Sequence, residues 1–381
     1  MKRLFLVFIS ILTLKIGLPV DSKYKNHFPQ NIAEEQSDGP YVCYKNGHVL
    51  ANYILDNNGK KVLKTDSVTL DQKNNLILKV ATDVPGKYFQ VQLKKELQNE
   101  KSEYPKASKL LVLSDIEGNF NAFRKLLQGN QVIDENFNWK FGDGNLVLVG
   151  DFFDRGDQVT ELLWFIYYLE EKAKANGGYI HFILGNHEIM NLSGDLRYIN
   201  QKYLESASLL KQQYVSLYDE NSELGRWLRT KNVVEKIGDI IFTHGGISGY
   251  VNRMKISVAE INDLSRPYYA DSMYVYSDFR SDTLFGNLGP FWYRGYYEKT
   301  NAHIPSQIDT TLSQFNINHI VTGHTIVGDT VSAWYNGKLL NIDVHHATGN
   351  SEALLFENNK FYRVNQEGNK VLLLEATKKK D

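Results

Sequence analysis

Five short apolar runs, each closed by a polar motif, constrain this chain more than anything else in it. Lys109–Ser114 runs into Asp115-Ile116-Glu117-Gly118-Asn119, and Asn145–Val149 into Gly150-Asp151-Phe152-Phe153-Asp154-Arg155-Gly156. Tyr179–Leu184 leads to Gly185-Asn186-His187-Glu188, Asp239–Phe242 to Thr243-His244-Gly245-Gly246, and His319–Thr322 to Gly323-His324-Thr325. Short β-rich runs ending in Gly, Asp, Asn or His read as buried strands with polar side chains at their C-terminal ends. Open α/β sheets gather their sites at that edge. Any one of these motifs alone is a polar turn after a core strand. Five in this order point to one rim and to metal.

The residue types suggest a division of labour. The carboxylate of Asp151 can bridge two divalent ions, with Asp115 and Glu117 completing the first and Asn186, His244 and His324 the second. Oxygen and imidazole donors without thiolates suit manganese, iron or zinc better than calcium. Two ions about 3.5–4 Å apart clamp the attacking and leaving oxygens of an in-line displacement at phosphorus. The chemistry implied is phosphoester hydrolysis by a metal-held hydroxide.

The remaining motif residues have assignable jobs. Arg155 is placed to bind phosphate oxygens, where a planar guanidinium pairs bidentately. His187 follows the ligand Asn186, faces the same rim and can protonate the leaving oxygen as a general acid. Asp154 can orient that imidazole and keep it protonated. Arg294, in Gly289-Pro290-Phe291-Trp292-Tyr293-Arg294-Gly295, is a second candidate for the phosphate; the alternative is an exposed loop arginine.

With these residues laid out, the chain resembles the calcineurin-like metallophosphoesterases, and within them the phosphoprotein phosphatases with GDxxDRG, GNHE and HGG motifs. It is most similar to the Shewanella-like protein phosphatases, through Asn191-Leu192-Ser193-Gly194-Asp195-Leu196-Arg197-Tyr198, Glu223-Leu224-Gly225-Arg226-Trp227-Leu228-Arg229 and Trp292-Tyr293-Arg294-Gly295. The resemblance covers about residues 108–345. It implies phosphomonoester hydrolysis, typically of phosphoserine, phosphothreonine or phosphotyrosine, with two metals and no covalent intermediate.

The chain departs from the family at one ligand position. The family pattern has histidine where Glu117 stands, and Ile326 occupies the place of a further histidine used by other metallophosphoesterases. Ligation by Glu117 itself gives a harder donor set, suited to manganese, magnesium or iron more than zinc. The alternatives are that His345 or His346 reaches the site from the strand Leu339–Val344, or that the first site binds metal weakly.

Composition narrows the rest. A chain of 381 residues with 42% hydrophobic content can bury a large core in one main domain plus an appendage. A net charge of -1 leaves no polybasic footprint for nucleic acid. The single Cys43 allows no intrachain disulfide. Lys2-Arg3 followed by the apolar Leu4–Leu14 has the form of an export signal, too short for a comfortable membrane span. Residues 1–22 are therefore read as a signal peptide or anchor, with an extracytoplasmic location, and membrane contact arises only if the segment stays uncleaved.

Residues 23–39 read as a linker and 40–107 as a small antiparallel β unit with a charged connector. Residues 108–376 read as the metallophosphoesterase domain: an α/β fold of two packed mixed sheets flanked by helices. The helix-rich stretch between His187 and His244 should form one wall of a substrate groove, and Val331–Glu375 should form a mostly antiparallel second sheet. Three functions fit these features. They are a phosphatase of phosphoproteins or phosphopeptides, a hydrolase of small phosphoesters or dinucleoside polyphosphates, and a phosphate-binding module without turnover.

Overall fold

The computed structural model describes residues 36–376 apart from 274, 299, 301 and 350. The segment 1–22 lies outside the described residues, as does most of 23–39. No helix among the described residues is long and apolar enough to cross a membrane.

β1 (Gln36–Lys45) begins inside the stretch read as linker and pairs with β2 (His48–Asn57), which pairs with β3 (Lys60–Thr69), all antiparallel. The connecting Asn46-Gly47 and Asn58-Gly59 hold all four residues at positive φ. This is the tight hairpin geometry that Asn-Gly adopts readily and that matches strand twist. β4 (Ile77–Ala81) and β5 (Tyr88–Gln92) make a second hairpin. β6 (Glu103–Tyr104) lies within the charged connector.

From residue 109 strands and helices alternate. β7 (Lys109–Leu113), α1 (Phe120–Gly129), β8 (Asn145–Val149), α2 (Val159–Ala175), β9 (Tyr179–Ile183) and α3 (Asn186–Ser193) follow in turn. α4 (Gln201–Leu209) and α5 (Glu223–Leu228) precede β10 (Val234–Ile237) and β11 (Ile240–Thr243). A second insertion carries α6 (Gly249–Met254), α7 (Val258–Ser265), α8 (Phe279–Phe285) and α9 (Ile304–Phe315). The chain ends with β12 (His319–Thr322), β13 (Ser332–Trp334), β14 (Leu339–Asn341), β15 (Glu352–Glu357), β16 (Lys360–Asn365) and β17 (Lys370–Glu375).

These strands form two six-stranded mixed sheets, ordered β17-β16-β15-β7-β8-β9 and β13-β14-β12-β11-β10-β6. Side chains alternate across each strand. Leu110, Val112, Val147 and Val149 of the first sheet pack with Ile240, Phe242, Val321 and Leu340 of the second. Leu111, Leu113, Leu146 and Leu148 face the other way, into a core shared with the helices. Strands buried on both faces need continuous apolar runs, and the five motif strands have them.

The expected separate sheet from Val331–Glu375 does not form. β13 and β14 join β12 in the second sheet, whereas β15, β16 and β17 extend the first sheet antiparallel from β7. Alternation sets which face of a strand is buried, but not which edge the strand joins.

The N-terminal β unit covers α2. That helix is buried along most of its length, including Trp164 and Tyr167 at 0% exposure. Trp164 Nε1 donates to the Pro40 carbonyl at 2.7 Å, and the Phe89 ring meets Phe165 edge-on at 5.1 Å. Lys94 and Lys231 both pair with the buried Glu170, at 2.8 and 2.7 Å, which ties the connector to α2.

Candidate active site

Five strand ends meet at one rim, and the chain turns sharply after β7, β8 and β12. Asp115 (φ 54°), Glu117 (49°), Asp151 (60°), Asp154 (71°), Arg155 (55°) and His324 (64°) all adopt the left-handed conformation. Each costs about 1 kcal/mol or more for a residue with a Cβ, so the surroundings must hold it. Backbone bonds do so: Asp115 N–H donates to the Gly150 carbonyl, Glu117 N–H to that of Asp151, and Gly156 N–H to that of Glu117, each at 2.9 Å. A Cβ on Gly185 would stand 2.2 Å from Asp151 Oδ1, and one on Gly323 2.5 Å from Asp115 Oδ2. Only glycine lets these carboxylates in.

The polar groups converge. Donor atoms of Asp151, His244 and His324 all lie within 4.8 Å of one another, and so do those of Glu117, Asp151 and His187. His244 Nδ1 donates to the Val149 carbonyl at 2.7 Å, which turns Nε2 toward Asp151 Oδ2 and Asn186 Oδ1, both at 3.0 Å. Asp115 Oδ2 accepts the His324 backbone N–H at 3.2 Å. Asp151 Oδ1 accepts the His187 backbone N–H at 2.9 Å, which leaves Oδ2 as the oxygen facing the imidazoles. The buried Nε2 of His324 has no hydrogen-bond partner.

This donor set fits divalent cations. A backed imidazole, an orphaned ring nitrogen and buried carboxylates are costly together unless positive charge joins them. The same demand shifts the proton affinities of these side chains. Burial opposes a charge on His244, but Asp151 and Asp115 outweigh it and raise its pKa to about 10. Burial and the neighbouring His244 charge hold His324 at about 2. Burial, with the Asp151 charge adding to it, lifts Asp115 to about 6, although His244 pulls the other way.

His187 and Asp154 form a buried pair, Nδ1 to Oδ2 at 2.6 Å, and Asn191 Nδ2 holds the other Asp154 oxygen at 2.9 Å. Burial disfavours the imidazolium, yet Asp151 and Asp154 raise the His187 pKa above its ordinary value. Glu188 is fully buried, and its carboxylate accepts the backbone N–H groups of Asp151, Phe152, Phe153 and Gly185 at 2.7–3.3 Å. It fastens the turn after β8 to the start of α3.

The two arginines and Glu117 stand at the mouth of a cleft of about 750 Å³ that also exposes Asp115, Asp151, His187 and His324. Arg155 pairs with Glu117, and its guanidinium lies 5.5 Å from the Tyr198 ring. Tyr198 also sits 5.2 Å from the His187 ring, and its carbonyl accepts the Arg155 N–H at 3.0 Å. That places Tyr198, just before α4, beside Arg155 and His187. Arg294 is anchored through Nη1 to the His324 carbonyl at 2.6 Å. His345 is exposed and His346 buried. Both line the cleft; His346 Nε2 is 3.0 Å from the Ser114 carbonyl and its Nδ1 has no partner.

Sequence reasoning passed over four residues here. Glu188 and Asn191 were noticed only as parts of motifs, and Tyr198 only as a mark of resemblance. Asp343, 3% exposed, lines the same cleft. Burial, followed by the like charge of Asp115, raises its pKa well above the ordinary carboxylate range. Its signal was present in Leu339-Leu340-Asn341-Ile342-Asp343, another apolar run ending in a carboxylate.

Residues 108–328 match the calcineurin-like phosphoesterase family, and the chain belongs to it. It is similar to the crystal structure of a cold-active protein-tyrosine phosphatase from a psychrophilic Shewanella species. The identity is 37% and the TM-score 0.80, over 88% of this chain and 99% of that one. It is 30% identical to Shewanella-like protein phosphatase 1 of Plasmodium berghei over 57% of this chain and 61% of that protein. A symmetrical bis(5'-nucleosyl)-tetraphosphatase of Legionella pneumophila is 31% identical over 47% of this chain and 58% of its own length. The chain thus spans about three fifths of these two relatives.

Proposed function

We propose that this protein is a two-metal phosphomonoesterase acting on phosphoproteins or phosphopeptides, with manganese as its working ion. The observation that carries the reading is the His187–Asp154 pair beside Asp151, in a cleft lined by Asp115 and His324 with His244 and Asn186 buried behind Asp151. Divalent ions held there would neutralise phosphoryl oxygens and lower the pKa of a water. Asp115, Glu117 and Asp151 would hold the first, and Asp151, Asn186, His244 and His324 the second. Arg155 and Arg294 would bind the phosphate, with Asn186 beside them, and His187 would give its proton to the leaving oxygen. A binding module without turnover has no use for that proton donor.

A nucleotide substrate is the second reading, motivated by the resemblance to the tetraphosphatase. The cleft's own lining has no Phe, Tyr or Trp among the described residues, and the exposed Tyr198 beside His187 and Arg155 is the ring on which a base would stack. We also read the chain as exported, on Lys2-Arg3 and Leu4–Leu14; fractionation of the expressing cells tests this. The activity is tested with p-nitrophenyl phosphate, a panel of phosphoserine, phosphothreonine and phosphotyrosine peptides, and diadenosine tetraphosphate, each with manganese, iron, zinc or magnesium added. Manganese-dependent turnover of the peptides is expected. Turnover of the dinucleotide alone would replace this reading with the second one.

A further inference from the structure

The end of β14 carries a carboxylate to the rim that the ligand set above does not use. Thr322 of β12 pairs in parallel with Asn341 of β14, and Ile342 N–H donates to the Thr322 carbonyl at 2.9 Å. Two residues past Asn341 the chain reaches Asp343, which lines the cleft together with His324. Asn341 Nδ2 donates to the Thr325 carbonyl at 2.9 Å, which clamps the end of β14 to the loop carrying His324. The backbone therefore fixes where Asp343 sits.

Its side chain has no visible reason to be there without a cation. Asp343 is 3% exposed, lines the cleft with Asp115 and Asp151, and has no hydrogen bond or ion pair among the described residues. Arg294, whose charge reaches Asp343, hydrogen-bonds the His324 carbonyl and Thr325 Oγ1 and not the carboxylate. A carboxylate buried next to two others and left unpaired is strongly disfavoured in an apo protein, and it becomes favourable once a divalent ion sits among them. Glu117, the residue that replaces the family's histidine, is meanwhile turned to Arg155. Glu117 is thus shared between Arg155 and the donors of Asp151 and His187, and Asp343 is placed to add a further carboxylate to the same cleft.

We infer that Asp343 is a metal-binding carboxylate of this centre, acting with Asp115 and Asp151 on the first ion. The inference rests on the two-metal reading above.

Calorimetric titration with manganese chloride, metal content after dialysis, and thermal unfolding with and without manganese would test it on the wild type and on Asp343→Asn. Wild type should bind two ions. Asp343→Asn should lose about 10–100-fold in affinity for one of them, the size of effect seen when the support of a metal site is altered. Its metal-free Tm should equal or exceed that of wild type, because an unpaired buried carboxyl is gone, while its manganese-induced rise in Tm should shrink. Asp343→Ser, smaller and also neutral, should show the same loss, which guards against a packing defect peculiar to asparagine. Two ions bound by both variants at wild-type affinity, with an unchanged manganese-induced rise, would overturn the inference and leave the two-metal reading standing. A wild type that binds no ion would overturn both.

Discussion

The Nδ1 of His187 lies 2.6 Å from Oδ2 of Asp154, and the second oxygen of that carboxylate is held by Asn191. A carboxylate only accepts, so Nδ1 carries a hydrogen and Nε2, 3.7 Å from Asp151 Oδ2, is the nitrogen that faces the chemistry. His187→Ala should lose on the order of 10²–10⁴-fold in turnover of an alkyl phosphate while keeping its metal. The loss should be smaller on p-nitrophenyl phosphate, whose leaving group needs little protonation. Equal losses on the two substrates would assign His187 to binding instead.

Glu117 is both a candidate ligand and the partner of Arg155. If it ligates, Glu117→Gln should weaken one ion far more than the other in a calorimetric titration. Glu117→His should keep activity and shift the preference toward zinc or iron. Glu117→Ala with two ions at unchanged affinity would remove it from the ligand set and turn attention to His346, whose buried Nδ1 is unpartnered.

Glu188 touches no substrate, yet its carboxylate accepts four backbone N–H groups around the Asp151 turn. An unsatisfied buried donor costs about 1–3 kcal/mol. Glu188→Ala should therefore lower the Tm steeply and abolish metal binding together with activity. Glu188→Gln, which keeps an acceptor oxygen, should recover part of both. A Glu188→Ala protein of wild-type Tm would mean that the turn holds itself.

The buried Glu170 sits between Lys231 and Lys94. Burial alone would raise its pKa, but the two ammonium groups outweigh it and lower the value from 4.5 to about 2. A depressed carboxylate stabilises the fold above its unfolded pKa, and that contribution fades as pH falls from about 4.5 toward about 2. Glu170→Gln leaves Lys231 with Glu100 and Lys94 with Glu171 as their remaining carboxylates, so at pH 7 it should cost about 1–3 kcal/mol in denaturant unfolding. The gap between variant and wild type should narrow through that acid window. A gap independent of pH would mean that the carboxylate acts through packing alone.

The sequence by itself determined the five motif strands, the rim they share and the residue types gathered on it. Those signals are local: an apolar run sets a buried strand, and the polar residue at its end has one place to go. Asp115, Asp151, Asn186, His244 and His324 were legible for that reason. Only the tertiary structure decided what depends on neighbours distant in the chain. The alternation of Val331–Glu375 is the same in either sheet, so the division that sends β14 to β12 and β15 to β7 could not be read from it. That division is what brings Asp343 into the cleft that His324 lines. The partners of Glu188 and of Glu170 were equally hidden. A buried carboxylate is set by the donors and cations that surround it, and those come from turns, helices and connectors that share no local pattern with it.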